Sequence, residues 1–138
     1  MASTRKNTTK QKKLLKELVY IFIGSGLGGL TRFGFGKWIS SFHSNNFPFG
    51  TFIVNILACL IMGFVVGLAD DRQLISPRTR LFWIVGFCGG FSTFSTFSNE
   101  TRLLLHNNNY SSGIFYVFAS IVSCLLAIQA GLFLSNKI

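Results

Sequence analysis

Three long stretches of this chain carry no charge. Residues 51–69, 81–98 and 114–135 hold no Asp, Glu, Lys or Arg and consist largely of aliphatic, aromatic and small residues. A bilayer core of about 30 Å is crossed by roughly 20 apolar residues wound as a helix, and each stretch meets or nearly meets that length. A fourth begins near Leu18, reads LVYIFIGSGLGGLT up to Arg32 and continues FGFGKWIS to about Ser41. Arg32 and Lys37 can snorkel toward the far interface, and Trp38 suits that depth. A signal peptide over the same run would be followed by a small-x-small cleavage site and a polar mature domain; this run is not. The pattern predicts an all-α membrane protein with four spans near 18–41, 51–69, 81–105 and 114–135, preceded by a basic tail over 1–17. Its connections are short. Residues 42–50 read as a turn through Asn45 and Asn46, with Pro48 opening span two; 70–80 is a charged loop holding Pro77, and 106–113 is an Asn/Ser loop.

Composition narrows the class. Of 138 residues only 12% are charged, about half the share of a soluble domain, which excludes an ordinary soluble enzyme and a disordered chain. Three Cys, an odd number, all lie inside apolar runs (Cys59, Cys88, Cys124) and read as small buried hydrophobes rather than a disulfide framework. The net charge of +9 comes mostly from the tail, where six of the thirteen basic residues fall within the first sixteen positions. Such a tail suits the lipid bilayer surface, and no nucleic-acid partner is expected. The N-terminal side holds Arg5, Lys6, Lys10, Lys12, Lys13, Lys16, Arg72, Arg78, Arg80 and Lys137; the other holds Lys37 and Arg102, with Arg32 near it. The positive-inside rule then places both termini in the cytoplasm.

The membrane residues are polar but almost uncharged. The acids are Glu17, Asp70, Asp71 and Glu100, and Glu100 alone, at the end of span three, could face a vestibule. Thr51 and Asn55 share one face of span two, and Tyr116, Ser120 and Ser123 form a hydroxyl stripe on span four. A lone mid-membrane hydroxyl often bonds back to its own helix; a buried amide needs partners. Donors on one face suit an anion pathway. Span three reads GFCGGFSTFSTFSNE from Gly86 to Glu100. Gly89-Gly90 at membrane depth invites a break near the middle of the helix, and freed carbonyls can hold a hard cation. The rings of Phe91, Phe94 and Phe97 have two readings of equal standing, a packing surface or positive ring edges offered to an anion. Gly24-x-x-x-Gly28 and Gly63-x-x-x-Gly67 allow close helix contact, within or between subunits.

Together these residues carry a resemblance. Gly28-Gly29-Leu30-Thr31-Arg32-Phe33, then Gly50-Thr51-Phe52-Ile53-Val54-Asn55, then Gly86-Phe87-Cys88-Gly89-Gly90-Phe91-Ser92-Thr93-Phe94-Ser95-Thr96-Phe97, in that order, resemble the Fluc (CrcB) fluoride channels from about Leu18 to Leu134. The resemblance implies an antiparallel, dual-topology dimer with two pores that export fluoride passively across the bacterial plasma (inner) membrane. It implies a structural sodium ion at the dimer centre on backbone carbonyls of Gly89 and Ser92, pore rings at Phe94 and Phe97, and a pore amide at Asn55. Its polar track matches Thr51, Thr96, Tyr116 and Ser120, with Arg32 and Glu100 at the vestibules. A further hydroxyl of that track would fall at Cys124, a departure from the family pattern that leaves open whether Cys124 or Ser123 takes the position.

The chemistry is consistent with that role. Fluoride is small and strongly hydrated, so a selective path replaces its water with donors and holds it weakly enough to release it. Two other classes compete. A small dual-topology drug or cation exporter needs a membrane-central carboxylate, which the spans lack away from their ends. A non-transporting assembly subunit would need only the Gly-rich faces, and the ordered donors speak against it. The charge bias favours a single orientation and hence a heterodimer with an oppositely oriented homologue. Outside the tail the count falls to four against two, near the balance a homodimer requires, and the homodimer is the favoured reading.

Overall fold

The computed structural model of the chain describes residues 2–43, 47–71 and 73–138. It is helical in its first segment (α1, Ala2–Ser41) and second (α2, Phe49–Val66), where wider π-type turns extend α2 over Gly67–Asp71. The third span is composite: α3 (Pro77–Arg80), a π-wound stretch Leu81–Cys88, α4 (Gly89–Phe91) and α5 (Phe94–His106). The fourth is a single helix, α6 (Tyr110–Ser135). Lys10–Ser41, Phe49–Asp70, Pro77–His106 and Tyr110–Ser135 are each long and apolar enough to cross a membrane. The four-span, all-helical reading stands.

The boundaries moved, for local reasons. The basic residues near the N-terminus belong to the same helix as the first span; Lys, Arg, Gln and Leu are good helix formers, and nothing in the stretch stops the winding. The third span starts at Pro77, a residue read from sequence as loop. Ser76 Oγ accepts from the Thr79 N–H at 3.2 Å, and Pro77 takes the first helical position, where a missing N–H costs nothing. The fourth span starts at Tyr110 rather than 114, because the connection closes tightly through Asn108 at φ 58°, a left-handed conformation that Asn tolerates. Pro48 precedes α2 directly; the turn expected at Asn45 and Asn46 lies outside the described residues. Arg80 pairs with Asp70 at 2.9 Å across the connection between spans two and three. Both side chains are about half exposed, so the pair adds no more than about 1 kcal/mol.

Span two packs chiefly on span four, and span one on the third. Both contacts are backbone-close. A methyl at Gly63 would run into the Ile128 carbonyl, and one at Gly28 into the Phe87 carbonyl. The small-residue faces therefore seat helices within one chain. Between them lies a core of Val54, Ala58 and Phe91, flanked by Phe35, Leu57, Ile61 and Phe87. That core holds span two against the residues where the third span changes conformation.

Candidate functional site

Helical winding in the third span stops after Phe91. Ser92 (φ −75°, ψ 158°) and Thr93 (φ −151°, ψ 115°) are extended, and winding resumes at Phe94. The Gly pair does not itself interrupt the helix: Gly89 is helical at φ −64°, ψ −36°. A Cβ at Gly90 would collide with the backbone of Ser25, so that glycine serves the close approach of span one. The extended residues come two positions later than the glycines suggest.

Side chains replace the helix bonds lost there. In a continuous helix the Thr93 N–H would donate to the Gly89 carbonyl; here it donates to Asn55 Oδ1 at 2.8 Å, while Asn55 Nδ2 donates to the Thr93 carbonyl at 3.3 Å. The Thr96 N–H, whose helical acceptor would be Ser92, donates instead to Thr93 Oγ1 at 3.3 Å. The Thr93 hydroxyl in turn donates to Thr96 Oγ1 at 3.0 Å, so Thr93 is the N-cap of α5. The Ser92 carbonyl accepts from Arg32 Nη1 at 3.3 Å. One side chain from span two and one from span one thus hold the same dipeptide, and the Thr93 and Thr96 N–H groups that would serve the Gly89 and Ser92 carbonyls in a continuous helix bond elsewhere.

A second cluster sits one turn along. Thr51 Oγ1 donates to Glu100 Oε1 at 2.7 Å, and the Tyr116 hydroxyl donates to Glu100 Oε2 at 2.8 Å. Tyr116 is wholly buried, with the rings of Phe97 and Phe47 at 5.0 and 5.3 Å. These hydroxyls reach between helices. Thr31, Ser98 and Thr101 do not; each bonds the carbonyl four residues back. That contrast separates hydroxyls that join helices from hydroxyls that bond back to their own. Glu100→Gln presents an NH2 where one hydroxyl needs an acceptor, so the variant is expected to lose about 1–3 kcal/mol of stability. Thermal unfolding in detergent reads this, and an unchanged midpoint would mean that the hydroxyls find other acceptors.

Most of the residues singled out from sequence line one of two cavities that share Thr93, whereas Tyr116 and Gly89 line neither. One, of about 240 Å3, is lined by Asn55, Ser92, Thr93, Phe94, Phe97, Ser120, Ile121 and Cys124. The other, of about 280 Å3, includes Arg32, Lys37, Thr51, Thr93 and Thr96. Glu100 lines a third with Asn107 and Asn109. Phe94 and Phe97 rings lie 5.7 Å apart, Phe94 being 79% exposed on the face of the chain. Ser120 is 7% exposed, and its Oγ has no hydrogen-bond partner among the described residues. Cys124, and not Ser123, lines the cavity beside it. Among the described residues no group of three or more His, Cys, Asp or Glu could hold a metal. Thr93 escaped the sequence reading although it touches both cavities. Its signal was a hydroxyl three positions ahead of Thr96, directly before a helical run.

Four membrane-crossing helices, with an extended dipeptide in the third clamped by an amide from the second, define a small multi-pass membrane protein. The chain belongs to the family described as CrcB-like protein, Camphor Resistance (CrcB), whose model matches residues 19–132. Its relatives include the fluoride-specific ion channel FluC of Bacteroides fragilis, 44% identical over 126 residues, covering 89% of this chain and 98% of that protein. FluC of Phocaeicola vulgatus is 40% identical over 122 residues, covering 88% and 100%, and FluC of Flavobacterium psychrophilum is 35% identical over 124, covering 90% and 100%.

Proposed function

We propose that the chain is a fluoride-selective ion channel of the cell membrane, moving fluoride passively out of the cell rather than catalysing a reaction. The observation that carries this reading is the donor set around Thr93, to which the fluoride-specific names of relatives at 35–44% identity add weight. Arg32 and Lys37 give one cavity a positive field that draws anions in. Thr51 and Thr96 line it, and Asn55, Ser120 and the edges of Phe94 and Phe97 line the next. Asn55 spends Oδ1 on the Thr93 N–H and one N–H on its carbonyl, which leaves a second N–H to face the ion. Ser120, with no hydrogen-bond partner among the described residues, offers its hydroxyl in the same cavity. None of these is a fixed cation at the narrow part, so the anion is bound without being trapped.

The active form is an antiparallel homodimer, with the basic residues of 1–17 on the cytoplasmic side and the extended Ser92-Thr93 pair serving as a functional break in the third span. Phe94 on the open face suits burial by the second copy. The Gly89 carbonyl, relieved of its helical donor, and the Ser92 carbonyl, which has a second lone pair beside the one given to Arg32, would hold a hard cation such as sodium, with both copies contributing; the ion would supply positive charge at the dimer centre. Two outcomes are expected. Expressed alone, purified and reconstituted into liposomes, this single chain supports rapid fluoride efflux at least about tenfold above empty vesicles, since a polar path removes the cost of moving an ion through hydrocarbon. A silent preparation rescued only by a second, oppositely biased homologue would overturn the homodimer. Replacing sodium by a large organic cation, with long equilibration, is expected to lower flux several-fold and to destabilise the dimer, because a ligand of the native state stabilises it by mass action. Flux and dimer stability indifferent to the exchange would remove the sodium site.

A further inference from the structure

Cys59 on span two and Cys124 on span four each lie one helical turn before Gly63 and Ile128, where the two spans meet backbone to backbone, so both thiols fall on the same stretch of that interface. Both are free and partly exposed. Cys124 lines the cavity of Asn55 and Ser120, where the buried Ser120 hydroxyl has no hydrogen-bond partner among the described residues. The fluoride path described above uses neither thiol.

We propose that Cys59 and Cys124 form a two-thiolate site for a soft divalent metal ion that accepts linear coordination, represented by mercury(II), and that metal bound there obstructs the path beside Ser120. Thiolate sulfur selects soft ions. The described residues offer no cluster of three or more His, Cys, Asp or Glu, so zinc, which seeks four ligands, is not served by this pair. Charge decides the valence. As mercury(II) chloride binds, two sulfur–mercury bonds form, two chlorides leave and two thiol protons pass to water. The resulting complex is neutral, whereas a monovalent soft ion on two thiolates would leave a net negative charge at membrane depth, where uncompensated charge is costly. The obstruction rests on the channel reading; the metal site does not.

The test uses the purified full chain in detergent, treated with mercury(II) chloride and then washed with free cysteine to strip single-thiol adducts. Intact mass is expected to gain one mercury and lose two protons per chain, and maleimide labelling to fall by two thiols. Cys59→Ser and Cys124→Ser, both nearly isosteric, should each lower retained mercury about tenfold or more, since chelation by the pair is lost. Cys88, fully enclosed, should be dispensable. Equal retention in either serine variant, or loss of retention in Cys88→Ser alone, would overturn the site. In liposomes mercury should stop fluoride efflux by wild-type protein, while Cys59→Ser conducts at the untreated rate and resists the metal. Mercury bound at the pair with undiminished efflux would refute the obstruction. Untreated wild-type protein that passes no fluoride would refute the channel reading and the obstruction together, with the retention result still deciding the metal site.

Discussion

Asn55→Asp should reduce fluoride flux by roughly 100-fold or more, as expected from one lost buried hydrogen bond of about 1–3 kcal/mol and an added like charge. The aspartate keeps the oxygen that receives the Thr93 N–H at 2.8 Å and loses the N–H that reaches the Thr93 carbonyl. A carboxylate oxygen then faces that carbonyl, and an ionised group faces the anion that should pass. Asn55→Leu differs in kind. It leaves both Thr93 backbone groups without their side-chain partner, so stability should fall as well, by about 1–3 kcal/mol per buried group. Liposome efflux and thermal unfolding, measured on both variants, separate the two effects. Wild-type flux in a folded Asp variant would take Asn55 out of the pathway.

Replacing Phe94 and Phe97 together by Ile should cut flux about 30-fold or more, taking roughly 1 kcal/mol for each polarised ring edge. Ile preserves apolar bulk and removes the ring quadrupole. The two positions are not equivalent in packing. Phe94 is 79% exposed on the chain, whereas Phe97 touches Tyr116 with ring centres 5.0 Å apart. Phe94→Ile alone should therefore lower flux with little change in the stability of the chain, and Phe97→Ile should lower both. A double variant that assembles normally and conducts within about twofold of wild type, a change below 0.5 kcal/mol, would assign the rings to packing alone.

Much of the architecture was legible because the membrane simplifies the code. With no water to satisfy backbone groups, an apolar run of sufficient length has one outcome, a helix; three uncharged stretches and a fourth apolar run interrupted by Arg32 and Lys37, separated by short polar links, located all four. The ends were less legible. Pro77 and Tyr110 lie inside helices although their neighbours are polar, because capping by Ser76 and the left-handed turn at Asn108 are decided by a few atoms. Helical spacing identified the shared face of Thr51 and Asn55 and the stripe through Tyr116 and Ser120, since i and i+4 superpose on any helix. It did not reveal what each faces. The Tyr116 and Thr51 hydroxyls meet on Glu100, a convergence of three helices that no spacing within one helix encodes.

The sequence by itself determined four helical spans, their small-residue faces and a polar inventory of amide, hydroxyls and rings, for each of these follows from local composition and the 3.6-residue period. The tertiary structure decided where the third span leaves the helix. Gly90 is placed to admit span one, and the extended pair falls at Ser92-Thr93 because Asn55, 38 residues away in sequence, and Arg32, 60 residues away, supply the hydrogen bonds that the helix gives up there. A backbone can abandon its own ladder inside a membrane only where neighbouring helices complete its bonding, and that condition exists only once spans one, two and three are packed.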